Sequence, residues 1–175
     1  MEETKAMVYR LYVEKKPAYR QEAGSLLSDI RSFLGIENLT DLRLLNRYDV
    51  ENIAAEVMDQ CIHTVFSEPQ VDDVTTELPE DGATIFATEY LPGQFDQRAD
   101  SAAQCVQLVS TGDRPLVRTA KVYLLYGELT ESDMTAIAEN LDSAVKRAYL
   151  GAYEITFDEA FMRHDIGRRA LSAKK

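Results

Sequence analysis

Two amides, a carboxylate and a guanidinium crowd together at Gln94-Phe95-Asp96-Gln97-Arg98, directly after Pro92-Gly93. An Ala-rich stretch follows, with Ala99, Ala103 and Val106, joined by Ala102, on one side. A strand-like run therefore ends, the chain turns, and a helix begins with polar groups at its mouth. The first-turn N–H groups of a helix have no internal acceptors, so such a junction can hold a carboxylate, a phosphate or a partner's backbone. The same residues also read as a helix cap, with Asp96 at the N-cap and Gln97, Arg98 and Ala99 in the first turn. Spacing leaves both readings open.

Other chemistry is thinly represented. Cys61 and His63 are two residues apart on one expected helix, and positions i and i+2 point to different sides, so they form no Cys–His pair. Cys61 reads as a small buried apolar residue, and Cys105, set among Ala102, Val106 and Val109, reads the same way. His63 and His164 are the only histidines and neither lies in a ligand motif, so no metal site is expected. No Gly-rich phosphate loop and no Ser–His–Asp grouping is visible. Glu14-Lys15-Lys16 reads as a solvated strand end. Arg47 and Asp49 flank Tyr48 and are placed to pair across a sheet surface. Arg98, Arg118 and Arg47 remain as candidate contact residues, since an Arg at a strand end can fork onto a partner's carboxylate. Internal pairing with Asp96, Asp100 or Asp49 is the competing reading for each. No catalytic residue is assigned.

Composition bounds the function classes. The chain has 175 residues, 45% of them apolar, enough for one domain or two very small ones with a packed core. Its formal charge is −11, and residues 1–137 carry 24 acidic against 12 basic side chains. That balance argues against nucleic acid or an anionic membrane as the main partner. No apolar run approaches a membrane-spanning length, and MEETKAMVYR has no apolar signal region. Two cysteines on separate helical segments point to a reduced, cytoplasmic protein.

Periodicity predicts one unit repeated. Tyr9–Val13 reads as a strand, with Tyr9, Leu11 and Val13 alternating with Arg10 and Tyr12. Gln21–Leu34 reads as a helix with a stripe of Leu26, Leu27, Ile30, Phe33 and Leu34, stopped by Gly35. Leu42–Tyr48 reads as a strand. Val50–Phe66 reads as a helix with Ile53, Val57, Cys61, Ile62 and Val65 turned inward. Glu68–Gly82, acidic and holding Pro69 and Pro79, reads as a connector. The order then recurs: strand Thr84–Leu91, helix Asp96–Ser110, strand Leu116–Tyr126 and helix Thr130–Leu141. The last helix opens with the Thr130/Asp133 capping pair. An offset of 78 lays strand on strand and helix on helix. The expected divisions are a first half over 1–67, a linker over 68–83, a second half over 84–143 and a tail over 144–175. Two strands are marginal alone. Two such halves sharing one antiparallel or mixed sheet, with helices on one face, would make an α+β two-layer sandwich with a pseudo-twofold axis.

The segment LPGQFDQRADSAAQCVQL (Leu91–Leu108) resembles the N-terminal part of the large, single-chain, clostridial-type phosphoribosylformylglycinamidine (FGAM) synthase. So do YRLYVEKKP (Tyr9–Pro17), LRLLNRYDVE (Leu42–Glu51), HTVFSEPQVD (His63–Asp72) and RPLVRTAKVYLLYG (Arg114–Gly127). Together these cover roughly residues 7–137. The resemblance implies a domain like two fused copies of PurS, the small subunit of the multi-subunit enzyme. The whole enzyme is an ATP-dependent amidoligase that uses Mg2+ and glutamine. It converts formylglycinamide ribonucleotide to its amidine in purine biosynthesis. The resemblance implies no catalytic residue and no cofactor in this chain. It implies a bridge between synthetase and glutaminase domains that helps shape the ammonia route, with Gln94, Asp96, Gln97 and Arg98 at the contact. The tail AENLDSAVKRAYLGAYEITFDEAFMRHDIGRRALSAKK departs from the family pattern. Its expected elements are a prolonged helix over Ala144–Leu150, an extended stretch over Glu154–Phe157 and a helix over Phe157–Ile166. A free-standing small-molecule-binding or regulatory module is the alternative, because two-layer α+β domains often bind ligands at pseudo-symmetric interfaces. Exposed strand edges make a homodimer an expectation under either reading.

Overall fold

The computed structural model of the chain describes residues 7–90 and 95–140. Gln94 and the expectations for 144–175 fall outside them. The fold is α+β with an open antiparallel sheet. In chain order the elements are β1 (Tyr9–Lys15), a 3-10 turn (Pro17–Tyr19), α1 (Gln21–Phe33), β2 (Leu39–Glu51) and α2 (Ala55–Ile62). These are followed by β3 (Asp72–Thr75), β4 (Thr84–Glu89), α3 (Gln97–Ser110), β5 (Leu116–Gly127) and α4 (Glu131–Asn140). The strand order is β3-β1-β2-β5-β4. Strand β1 pairs antiparallel with β2 from Tyr9 opposite Val50 to Glu14 opposite Leu45. It also pairs with β3 from Tyr12 opposite Thr75 to Lys15 opposite Asp72.

Several expected boundaries move. The second helix is shorter than expected, because β2 continues through Val50 to Glu51 and α2 begins only at Ala55. Asn52 makes the break with φ 59°, a left-handed conformation that asparagine tolerates. The acidic connector is not all loop: its Asp72–Thr75 forms β3, where Lys15 holds the Asp72 carboxylate at 2.8 Å. Helix α1 does end as expected, with Gly35 at φ 66° just past the cap residue Leu34.

The chain divides into two compact units, each built from three segments. Of the described residues, the first comprises 7–19, 45–78 and 95–120, and the second comprises 20–44, 79–90 and 121–140. Each draws on chain from both sides of the acidic connector.

In the first unit, Leu11 and Val13 of β1 and Tyr48 and Val50 of β2 meet Met58 and Cys61 of α2 and Ala99, Ala102, Ala103 and Val106 of α3. The three alanines on α3 let α2 and α3 approach closely, since small side chains leave little between the helix axes. Tyr48 meets Phe66 edge-on, with centroids 5.0 Å apart, a favoured aromatic geometry. Ile53, Val57, Ile62 and Val65 pack against this core as their spacing predicts. Met58, only 2% exposed, joins them unanticipated. Strand β1 is buried on both faces, because Tyr12 and Glu14 are buried alongside Leu11 and Val13. Tyr12 lies opposite Arg47 across the pair and interacts with Arg10. Glu14 is therefore not part of a solvated strand end.

In the second unit, Ala23 and Ile30 of α1 and Ile137 of α4 pack with Leu39, Leu42, Tyr123 and Leu125. Leu26, Leu27 and Leu34 close the α1 stripe against this core. Phe33 is 84% exposed and leaves it. The expected capping box is present: Thr130 N–H donates to Asp133 at 3.0 Å, and Asp133 N–H donates to Thr130 Oγ1 at 3.1 Å. Gly127 ends β5 at φ 127°, and a Cβ there would lie 1.9 Å from the carbonyl oxygen of Asn38.

Two predictions follow from these environments. Gly127→Ala should destabilise the chain by about 2–4 kcal/mol, from strained φ and backbone collision together, read as a lower urea midpoint with an unchanged slope. Cys105 is exposed, contrary to its apolar setting in sequence, whereas Cys61 is buried and burial raises its thiol pKa. A thiol reagent at neutral pH should therefore modify Cys105 at once and Cys61 only on unfolding, with native Cys61 still unreactive as pH rises through the ordinary thiol range.

Candidate functional site

The polar junction before α3 is built around Asp96. Its backbone is extended, with φ −99° and ψ 99°, and its Oδ1 accepts the Ala99 N–H at 2.9 Å. This is the N-cap reading of the sequence. The second oxygen has a role that spacing did not reveal: Oδ2 accepts both the backbone N–H of Thr119, at 3.1 Å, and its hydroxyl, at 2.5 Å. One carboxylate thus joins the start of α3 to β5. Thr119 is itself buried.

Gln97 and Arg98 are exposed on the first turn, and Phe95 is 71% exposed just before it. Arg98 Nη1 donates to the Tyr48 hydroxyl at 3.4 Å, a long bond that reaches the rim of the first unit's core. Asp100, a candidate partner for Arg98, is engaged by Arg114. The mouth of α3 therefore offers an amide, a guanidinium and an exposed ring, with its carboxylate already committed.

The other two candidate arginines lie elsewhere. Arg47 is buried, and its Nε is 3.5 Å from Asp49 Oδ2. Asp49 also accepts a two-pronged contact from Arg10, at 2.7 and 2.9 Å. That hydrogen bond raises the Arg10 pKa, with burial opposing it. Alternation along β2 puts Arg47 and Asp49 on the face opposite Tyr48, so Arg47 and Arg98 belong to different faces of the strand. Arg118 is exposed and follows the buried Val117 on β5, hence it projects away from the core side. The three arginines do not form one pocket.

Two polar clusters escaped sequence reasoning. Arg10 stands directly opposite Asp49 in the β1–β2 register, a pairing visible only once the register is known. In the second unit the Tyr126 hydroxyl donates to Asp81 at 2.8 Å and lies 3.2 Å from Arg43 Nη1. Burial first, then the hydrogen bond to Asp81, raises the Tyr126 pKa. Asp81 belongs to the acidic connector, and no local signal tied it to a tyrosine 45 residues later.

Among the described residues, no three His, Cys, Asp or Glu side chains gather as a metal set. No helix among them is long and apolar enough to cross a membrane. Ser67 Oγ is 3.5 Å from His63 Nδ1, but its hydroxyl donates to the Ile62 carbonyl at 2.6 Å, so the proton a nucleophile would surrender is already committed. The chain matches no protein-family model, no curated protein and no solved structure at a significant level.

The geometry separates holding from touching at the α3 mouth. Asp96→Ala should cost about 1–3 kcal/mol, combining a lost N-cap with an unpaired Thr119 N–H, measured by urea unfolding. Arg98→Ala should change stability by no more than about 0.5 kcal/mol. Equal losses for both would place Arg98 in the structural lock.

Proposed function

We propose that this chain is a PurS-like, non-catalytic bridging module of an FGAM synthase, working in the cytoplasm in purine biosynthesis. The observation that carries this reading is the strand order. Strands β2 and β5, each following the first helix of its half, are neighbours; β1 flanks β2, and β4 flanks β5. Two fused β-α-β-α halves related by a twofold axis would have the order β1-β2-β5-β4, to which β3 adds an edge strand without a counterpart, so these four strands support the arrangement that the sequence resemblance implies.

In this reading the module supplies surface rather than chemistry. Synthetase and glutaminase domains, which use ATP, Mg2+ and glutamine, dock against it, and the module helps shape the route of ammonia between them. Gln94, Gln97, Arg98 and Arg118 are the proposed contact residues. Exposure of Gln97, Arg98 and Arg118 supports this role. Asp96 and Arg47 act behind that contact, the first by fixing α3 to β5 and the second beside Asp49.

The test is complementation of an FGAM synthase that lacks its N-terminal domain. Added chain should restore the glutamine-dependent rate while leaving the ammonia-dependent rate nearly unchanged, and the double variant Arg98→Ala/Arg118→Ala should weaken that rescue about tenfold or more without lowering the melting temperature. A folded chain that neither binds nor rescues would overturn the proposal.

A further inference from the structure

The part of β5 in the second unit is buried on both faces. Tyr123 and Leu125 pack with residues of α1 and α4, and Lys121 reaches Glu22 of α1. Alternation puts Val122, Leu124 and Tyr126 on the opposite face. Val122 and Leu124 are 1% and 0% exposed, so that face is apolar interior as well. The acidic connector meets it at Asp81, through a phenol and a guanidinium. The Tyr126 hydroxyl donates to Asp81 Oδ2 at 2.8 Å, and Arg43 Nη1 donates to the same phenol oxygen at 3.2 Å. The phenol oxygen therefore accepts from the guanidinium while its one proton goes to the carboxylate.

Asp81 uses this donor pair incompletely. Arg43 Nη1 lies 3.8 Å from Asp81 Oδ2, well beyond the roughly 2.7–2.9 Å of a charge-assisted hydrogen bond. The carboxylate side chain is 40% exposed. Glu80 and Gly82 beside it are exposed, and Gly82 takes φ 80°. The Asp96 carboxylate, in contrast, satisfies three donors between two elements. A carboxylate carried on an exposed loop, with one good hydrogen bond to the sheet, is a replaceable ligand.

We infer that Tyr126 and Arg43 form a docking site for an acidic peptide segment, and that Asp81 is its built-in inhibitor. A partner's carboxylate takes the Tyr126 hydrogen bond and closes on the guanidinium, and the connector from Pro79 to Ala83 is released. The tether gives Asp81 an effective concentration of millimolar order, so an isolated carboxylate competes weakly and a peptide needs its flanking backbone as well. With the site open about one part in ten, the apparent affinity for a partner falls about tenfold. None of the α3 contact residues takes part, and the inference does not rest on the bridging role.

The probe is a fluorescein-labelled copy of the connector, Pro79–Thr84 (PEDGAT), read by fluorescence anisotropy against the full chain. Asp81→Ala should bind it about tenfold or more tightly than the unaltered chain. Glu80→Ala makes the same change in net charge and should leave the affinity within about twofold. Adding Tyr126→Phe to Asp81→Ala should weaken binding about five- to tenfold. Arg43→Gln in the same background should do likewise, and circular dichroism establishes that each variant is folded. A peptide with asparagine in place of its aspartate should bind neither form. Equal tightening by Asp81→Ala and Glu80→Ala overturns the proposal. So does an Asp81→Ala chain that binds no peptide, or one whose binding survives loss of both the Tyr126 hydroxyl and the Arg43 guanidinium.

Discussion

The Asp96 carboxylate is the contact on which the first unit depends. Its two oxygens take three donors: the first-turn N–H of Ala99 and the backbone and hydroxyl of Thr119. The first of these caps a helix whose packing face is largely alanine. Alanine buries little area per residue, so α3 gains less from apolar transfer than a leucine-faced helix would. What alanine permits is proximity, and proximity is useful only when the helix is held at a fixed depth and register. A charged acceptor bonded to β5 fixes both at one end, through hydrogen bonds of the stronger, charge-assisted kind.

That role changes how the polar junction is understood. A carboxylate between an amide and a guanidinium at a helix mouth reads equally as ligand chemistry or as architecture. The structure gives Asp96 to architecture and leaves Gln97 and Arg98 facing outward. The same sorting occurs on β2, where Tyr48 turns into the core while Asp49 meets both Arg10 and Arg47 on the opposite face. In both places neighbouring residues that look like one motif in sequence serve different sides of the molecule.

Periodicity made the elements legible where one physical preference dominated. The α3 cap and the Thr130/Asp133 box stand where side-chain chemistry places them, because each is a local bargain between a side chain and the nearest unpaired backbone groups, and the Gly35 stop stands where the absence of a side chain permits a left-handed φ. The α2 start was missed because β2 reaches beyond the apolar alternation and ends at a left-handed Asn52, which sequence marks only weakly. Strand β3 was missed because its four residues are mostly polar and owe their conformation to β1. Helical spacing puts Phe33 inside and apolar neighbours put Cys105 there, yet each sits just off the buried stripe of its helix. The Arg10–Asp49 and Tyr126–Asp81 contacts join residues 39 and 45 positions apart, and only strand register or loop placement brings such partners together.

Neither compact unit is a continuous stretch of chain: each takes three separate segments, and β2 and β5 each contribute to both. A cut in the acidic connector would leave each fragment with part of both cores and the whole of neither. Such fragments could assemble a native core only by finding one another, so the intact linker does more than join. It turns an encounter between two molecules into a closure within one, whose entropic cost grows only slowly with loop length. The same interleaving makes late, long-range contacts compulsory in folding, which places the chain among the slower folders for its size.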